Sequence, residues 1–372
     1  MLFFLELTRN GFLYGLLAQI FPDDRFAWVG LLGFAHTLTD ALAKVPMAMW
    51  VQRFGLGSVG VLASASGLLC LFFGMHVPLF VLMVWVVLWG LGMAALWPSV
   101  LTLISERAVP GKETQALNIG MLILNPAGVV GFFGLGSLVQ YHLGLVQFLL
   151  AVGLVTALLS GAALWKVTPN SHSSGNSVRQ SVRTSWLAVG PLIPAAFAQT
   201  LVPGLITIIF FRFLQVNHLT LLDLLWLGLP MGACLALCLS LALRVSNPLH
   251  RVILGLLGQM VGMVLTVTVP LGLPLYLVCV GCAFGIGIGF FIAGWNGLIV
   301  QQLPPERRSV LWGFLMSIEA AGTATGLALG AWSWNWAGWR SPFVLAALCL
   351  AAVQIYYLFY RKTSATVSTD PK

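Results

Sequence analysis

Charge is what this 372-residue sequence has least of. Asp, Glu, Lys and Arg together make up 8% of it, about a third of the ~25% usual in soluble domains. With 59% hydrophobic residues and a mean hydropathy of +0.97, that scarcity excludes a water-soluble globular domain. A phosphate-cradling GxxxxGK[ST] loop is missing, which argues against ATP hydrolysis on this chain. His-Glu-x-x-His and nucleophile-elbow patterns are missing too, and no loop is long enough to form a catalytic domain. Neither an enzyme nor a cofactor is therefore expected.

Metal-ligand sets are also lacking. The six cysteines, Cys70, Cys234, Cys238, Cys279, Cys282 and Cys349, all sit in apolar segments. The 234/238 and 279/282 pairs have metal-like spacing, but no further Cys or His completes a site beside them. They read as small packing residues, and no metal site is expected. The net charge of +8 is spread over short loops. It forms no basic stripe of the kind that binds nucleic acid.

What the sequence does have is apolar runs of about twenty residues, enough to cross a hydrocarbon layer of ~30 Å. Twelve are read in the order 2–21, 27–51, 57–75, 79–104, 115–139, 143–165, 186–210, 221–243, 252–270, 274–302, 309–332 and 341–360. They are too long and uninterrupted for barrel strands, and lipid cannot satisfy exposed backbone groups, so helices are expected. The first run contains Glu6 and Arg9 and has no basic leader or cleavage site, unlike a signal peptide. The expected class is an all-α polytopic membrane protein of twelve transmembrane helices.

Lys and Arg set the orientation. With the N-terminus inside, the inner loops and tail hold Arg53, Arg107, Lys112, Lys166, Arg179, Arg183, Arg244, Arg251, Arg307, Arg308, Arg361, Lys362 and Lys372. The outer loops hold only Arg25, Arg212 and Arg340. Both termini are therefore expected in the cytoplasm. The short loops give the chain a bacterial character, which places it in the cytoplasmic membrane.

One stretch, TPNSHSSGNSVRQSVRTS at 168–185, is polar and lacks apolar periodicity. It reads as a flexible linker. The expected organisation is a six-helix half at 1–166, a cytoplasmic linker at 167–185, a second six-helix half at 186–362 and a disordered tail at 363–372. The halves also repeat. Gly90-x-Gly92 matches Gly285-x-Gly287, and Pro110-x-Lys112 falls on Pro305-x-Arg307, both offset by 195 residues (285 − 90 and 305 − 110).

Twelve spans, a central linker and duplicated halves resemble the major facilitator superfamily across nearly the whole chain. The loop AMWVQRFGLG at 48–57 is similar to the family's G-x-L-x-D-R-x-G-R-R loop at Arg53 and Gly55. Gln52 stands where the Asp would be, and Leu56 and Gly57 replace the basic pair. VVLWGLGMAALWPSV at 86–100 is similar to the R-x-x-x-G-x-G-x-x segment of span 4 through Gly90, Gly92 and Pro98, with Val86 in place of the Arg. GMLILNPAGVVGFFG at 120–134 resembles the Gly/Pro motif of family antiporters through Pro126, Gly128, Gly131 and Gly134.

The resemblance implies two six-helix halves that move a small-molecule substrate by alternating access, with the substrate bound near the midplane. It also implies a monomer, an altered latch in the Arg53 loop, and no proton coupling through position 86. Close helix packing explains Gly90 and Gly92 equally well, and Arg53 also serves as a marker of the cytoplasmic side.

The polar residues inside the spans are few. In HTLTDALAKV, residues 36–45, His36, Asp40 and Lys44 lie four apart on one helix face. Span 1 supplies Glu6 and Arg9, three apart. Facing lipid, each would cost about 3 kcal/mol, so they should face the bundle interior. Antiparallel spans 1 and 2 would pair Arg9 with Asp40 and Glu6 with Lys44. That network either holds helices together or exchanges partners. In the second case Asp40 takes up a proton, and His36 is a relay or a substrate contact.

Glu319 in span 11 has no cation one turn away and is a second candidate proton or cation site. Asn125, Gln199, Trp295 and Asn296 are candidate cavity-lining groups or, equally, helix-packing polar residues. Trp332, Trp334, Trp336 and Trp339 fit interfacial anchors.

The expected function is a secondary transporter of a small amphipathic or hydrophobic molecule, with proton-coupled export as the direction. Few fixed cations are available for a polyanion. A lysophospholipid flippase on the same scaffold and a transport-inactive sensor or assembly partner are the alternatives.

Overall fold

In lipid a backbone N–H has no partner but its own helix, and helix fills almost every described stretch of the chain. The computed structural model describes residues 1–22, 25–74, 76–109, 113–167, 189–220, 222–242, 247–268, 270–302 and 308–367. Among these no strand occurs. The chain divides into two compact units, Met1–Asn176 and Ser177–Lys372. The polar stretch 168–185 and the loop residues 110–112 and 303–307 lie outside the described residues.

The first unit begins with α1 (Leu2–Arg9), a π-helical segment (Asn10–Leu16) and α2 (Leu17–Ile20). Next come α3 (Phe26–Phe54), α4 (Leu56–Phe73), α5 (Leu79–Ala94) and α6 (Leu96–Arg107). It closes with α7 (Glu113–Val129), a second π segment (Val130–Leu135), α8 (Gly136–Leu138) and α9 (Leu143–Ala163). The second unit contains α10 (Ile193–Val216), α11 (Asp223–Ala242), α12 (Pro248–Thr268), α13 (Pro274–Gln302), α14 (Arg308–Ala337) and α15 (Ser341–Val367).

Ten of the twelve expected spans are helices long and apolar enough to cross a membrane. The other two, expected at 2–21 and 115–139, are helical but interrupted by the π segments. In the second of these Pro126 removes an N–H from the helix ladder one turn before the π segment begins. Two boundaries also differ from expectation. Helix α15 continues to Val367, past residue 362, and α10 continues to Val216. Arg212, expected in an outer loop, is instead buried in the last turns of α10.

Both units are packed by one plan. In the first, span 1 lies on spans 5 (α7 to α8) and 6 (α9), α3 lies on α5, and α4 lies on α5 and α9. In the second, α10 lies on α14 and α15, α11 on α13, and α12 on α13 and α15. Counting six spans on, each pairing reappears.

The matched glycines carry the same duties. A side-chain carbon at Gly90 would strike His36 O on α3, and one at Gly285 would strike Met231 O on α11. At Gly92 it would strike Ala63 on α4, and at Gly287, Gln259 on α12. Close backbone approach between membrane helices requires small residues at these crossings.

Aromatic side chains mark both ends of the second unit. Trp332 stacks on Trp336 and the Arg340 guanidinium lies 4.9 Å above Trp339 at one end, while Tyr356 stacks on Tyr360 at the other. Ser341 to Tyr360 is 20 residues, about 30 Å of helix, so the two groups stand one hydrocarbon thickness apart.

Candidate functional site

The first unit gathers its intramembrane charges around one carboxylate. Glu6, on α1, is 4% exposed. Its Oε2 accepts from Arg9 Nη2 at 2.5 Å and from Asn10 Nδ2 at 3.3 Å. Its Oε1 accepts from the Trp97 indole N–H at 2.5 Å. Asn10 also donates to the Glu6 carbonyl at 2.8 Å, at the point where the first π segment starts. Trp97 follows the break between α5 and α6 at Ala95, and it precedes Pro98, which has no N–H to offer the Ala94 carbonyl.

Asp40, on α3, is held differently. Its Oδ2 lies 3.9 Å from Arg9 Nη1, and the Asp40 and Arg9 side chains are 19% and 20% exposed. The expected Arg9–Asp40 pair is thus present, but long. The expected Glu6–Lys44 pair is not formed. Arg9 sits one turn from Glu6 on the same helix, and the indole takes the other oxygen. Among the described residues Lys44 makes no ion pair.

His36, one turn before Asp40, is fully buried against α5, with Nδ1 3.2 Å from Val86 O and its ring edge-on to Trp89. It has no surface open to a pathway within the unit. Tyr14 and Thr37, which the sequence reading did not name, link the first π segment to α3 through hydroxyls 3.3 Å apart.

In the second unit the structure joins two candidates that the sequence reading kept separate. Gln199 Nε2 on α10 donates to Glu319 Oε1 on α14. Thr200 Oγ1 and Thr323 Oγ1 both donate to the Glu319 backbone carbonyl, at 2.5 and 3.2 Å. Trp295 is buried and stacks on Phe291, away from this pair in sequence and helix, and Asn296 beside it is exposed. Asn125 lies in α7, and its side chain is outside the described ones.

The loop and packing candidates have structural partners. Gly55 has φ +86°, a conformation that favours glycine, and a side chain there would run into the Trp165 carbonyl. Leu56 N–H donates to Val167 O at 2.7 Å, so the loop after α3 is fastened to the chain after α9. The Arg53 guanidinium lies 5.2 Å from the Phe54 ring centroid. Pro98 and Pro126 are exposed within their helices.

All six cysteines are free, and no metal-holding group occurs among the described residues. A cavity of about 420 Å³ lies among Ile20, Phe21, Arg25, Trp28, Gly74 and Leu79. These residues sit at the span ends remote from Glu6 and Asp40.

Solved structures share this architecture from end to end. A bacterial homologue of the human lysosomal transporter Spinster, inward-facing and unoccupied, matches with a TM-score of 0.70 over 97% of this chain and 95% of that one, at 16% identity. The chain has the major facilitator fold. The peptide transporter POT matches with a TM-score of 0.70 over 97% and 92% of the two chains at 14% identity. The nucleoside transporter NupG matches with 0.64 over 96% and 99% at 13%. No family model matches the chain, and no curated protein matches its sequence. Within that fold, this chain brings Glu6, Arg9, Asp40 and Trp97 together in its first unit and Gln199 and Glu319 together in its second.

Proposed function

We propose that the chain is a secondary transporter with twelve crossings, counting the two π-interrupted spans, and with both termini in the cytoplasm. It acts as a monomer in the cytoplasmic membrane. It exports a small amphipathic or hydrophobic molecule by alternating access, driven by protons. The observation that carries this reading is the unequal holding of the two carboxylates in the first unit. Glu6 takes three donors on its two oxygens, whereas Asp40 has one guanidinium at 3.9 Å and is partly open.

A proton arriving on Asp40 would release Arg9 from that carboxylate while Glu6 still neutralises it. No uncompensated charge would then be left in the bilayer, where one costs several kcal/mol. Glu319, bonded to a neutral amide, is the matching group in the second unit. Transporters of peptides and nucleosides among the structural neighbours support a small-molecule cargo. Gly90, Gly92, Gly55 and the Arg53 loop are assigned to packing and to fastening within units, with Pro98 and Pro126 shaping the helices that bear them.

The test uses energised inverted vesicles and a panel of lipophilic fluorescent dyes, with and without a protonophore. Accumulation that the protonophore abolishes, and that Asp40→Asn loses, is the expected result. Accumulation untouched by both treatments would remove proton coupling. No accumulation of any dye by the wild type would remove the export of hydrophobic compounds, and lipid movement between leaflets would be measured next.

A further inference from the structure

We propose that Trp97 is a positioning residue that decides which carboxylate of the cluster carries the proton. The inference rests on the proton-coupled reading above, but it is argued from hydrogen-bond chemistry alone. A carboxylate is acceptor-only, whereas a protonated carboxyl must also donate through its new O–H. Both Glu6 oxygens face donors that cannot accept: a guanidinium, an amide NH₂ and the Trp97 indole N–H. A proton on Glu6 would set O–H against N–H and strip Arg9 of its nearest counter-charge.

Asp40 meets a single guanidinium at 3.9 Å. It can gain an O–H by parting from one partner. The ionisable groups around it are Glu6, Arg9 and Tyr14 from span 1, and His36 and Lys44 from its own helix. Of the donors on Glu6, Arg9 and Asn10 belong to the same helix stretch and come with it. Among the described residues Trp97 alone arrives from another span, 91 residues away in sequence. It occupies Oε1. Removing the indole N–H frees that oxygen to hold a proton, and Glu6 then competes with Asp40.

The measurement is the infrared carboxylic C=O band of the purified full chain during a pH titration, in a background where Asp23, Asp24, Glu106, Glu113, Asp223, Glu306, Glu319 and Asp370 are replaced by Asn or Gln, so that Glu6 and Asp40 are its two side-chain carboxyls. Carboxyl-¹³C aspartate or glutamate labels assign the band without altering the cluster. The expected result is a band that appears on acidification, shifts with labelled aspartate, and is lost in Asp40→Asn. In Trp97→Phe a second band of comparable area appears and shifts with labelled glutamate. Trp97→His, which keeps a ring N–H, does not add it.

With the cluster intact in that background, a band that shifts with labelled glutamate overturns the proposal, and this arm needs no substitution within the cluster. So does a Trp97→Phe spectrum identical to that of the intact cluster. Because no transport is measured, the two readings fail separately. A chain with the expected bands that moves no dye loses the transporter reading alone, and a dye exporter without them loses only the role of Trp97.

Discussion

The two units use one scaffold and two chemistries. Gly90 and Gly285 each meet a backbone carbonyl of the span two before their own, and Gly92 and Gly287 each meet the span immediately before. The polar groups do not follow the repeat. The first unit carries Glu6, Arg9 and Asp40 in an ionic cluster, whereas the second carries a carboxylate on a neutral amide, Gln199–Glu319. Backbone crossing distances tolerate only small residues, so the glycines hold their register in both halves. A charge needs only one partner to be tolerated, and either half can supply it.

That comparison breaks most visibly at the carboxylates. Glu6→Gln leaves the Arg9 guanidinium with only the distant Asp40, and it turns an amide NH₂ toward other donors. Breaking a buried pair on one side costs about 3–5 kcal/mol, so a large fall in melting temperature is expected. Glu319→Gln keeps an acceptor oxygen toward the Gln199 amide and should cost less than Glu6→Gln does. Equal losses in melts of the two purified variants would mean that Glu319 also answers a buried charge.

The glycines sharpen the comparison next. Gly92→Val and Gly287→Val each force a side chain into a neighbouring backbone, and overpacking costs about 1–3 kcal/mol. The two losses should match. If one substitution is tolerated while the other is not, the shared packing plan fails at that crossing.

Much of this was legible in the sequence, and the exceptions have physical reasons. Apolar run length gave ten helices long and apolar enough to cross a membrane, because crossing lipid demands a fixed length of helix. The 195-residue offset gave the glycine crossings, because they are a matter of backbone proximity. The Arg9–Asp40 pair followed from helix faces and antiparallel spans. Glu6–Lys44 did not form because a partner one turn away on the same helix outcompetes one across a gap. Trp97 was missed because an indole in an apolar run looks like any other aromatic, and its donor role depends on the break at Ala95.

Gln199 and Glu319 were each named but not joined. The repeat could have joined them, since span 1 packing on span 5 implies α10 packing on α14. The π segments were invisible. Gly and Pro signal close packing and a bent helix, but not a shift in hydrogen-bond register.

The smallest effect expected in the first unit concerns those segments, which the second unit lacks in the helix equivalent to span 1, since α10 runs without a break from Ile193 to Val216. Widening a helix to π register disturbs its carbonyl ladder, and Gln19 Nε2 donates to both Gly15 O and Gly136 O at 2.7 Å. It thereby ties the ends of the two π-interrupted spans together. Gln19→Ala should cost about 1–2 kcal/mol, the worth of its two hydrogen bonds. Amide exchange should quicken at 10–20 and 130–138 while 193–216 stays as slow as before. Exchange unchanged in the first two stretches would mean that the glycine contacts alone hold the π segments. Quickening in all three would mean that the units do not loosen independently, and the contrast between a stapled crossing and an unbroken one would lose its meaning.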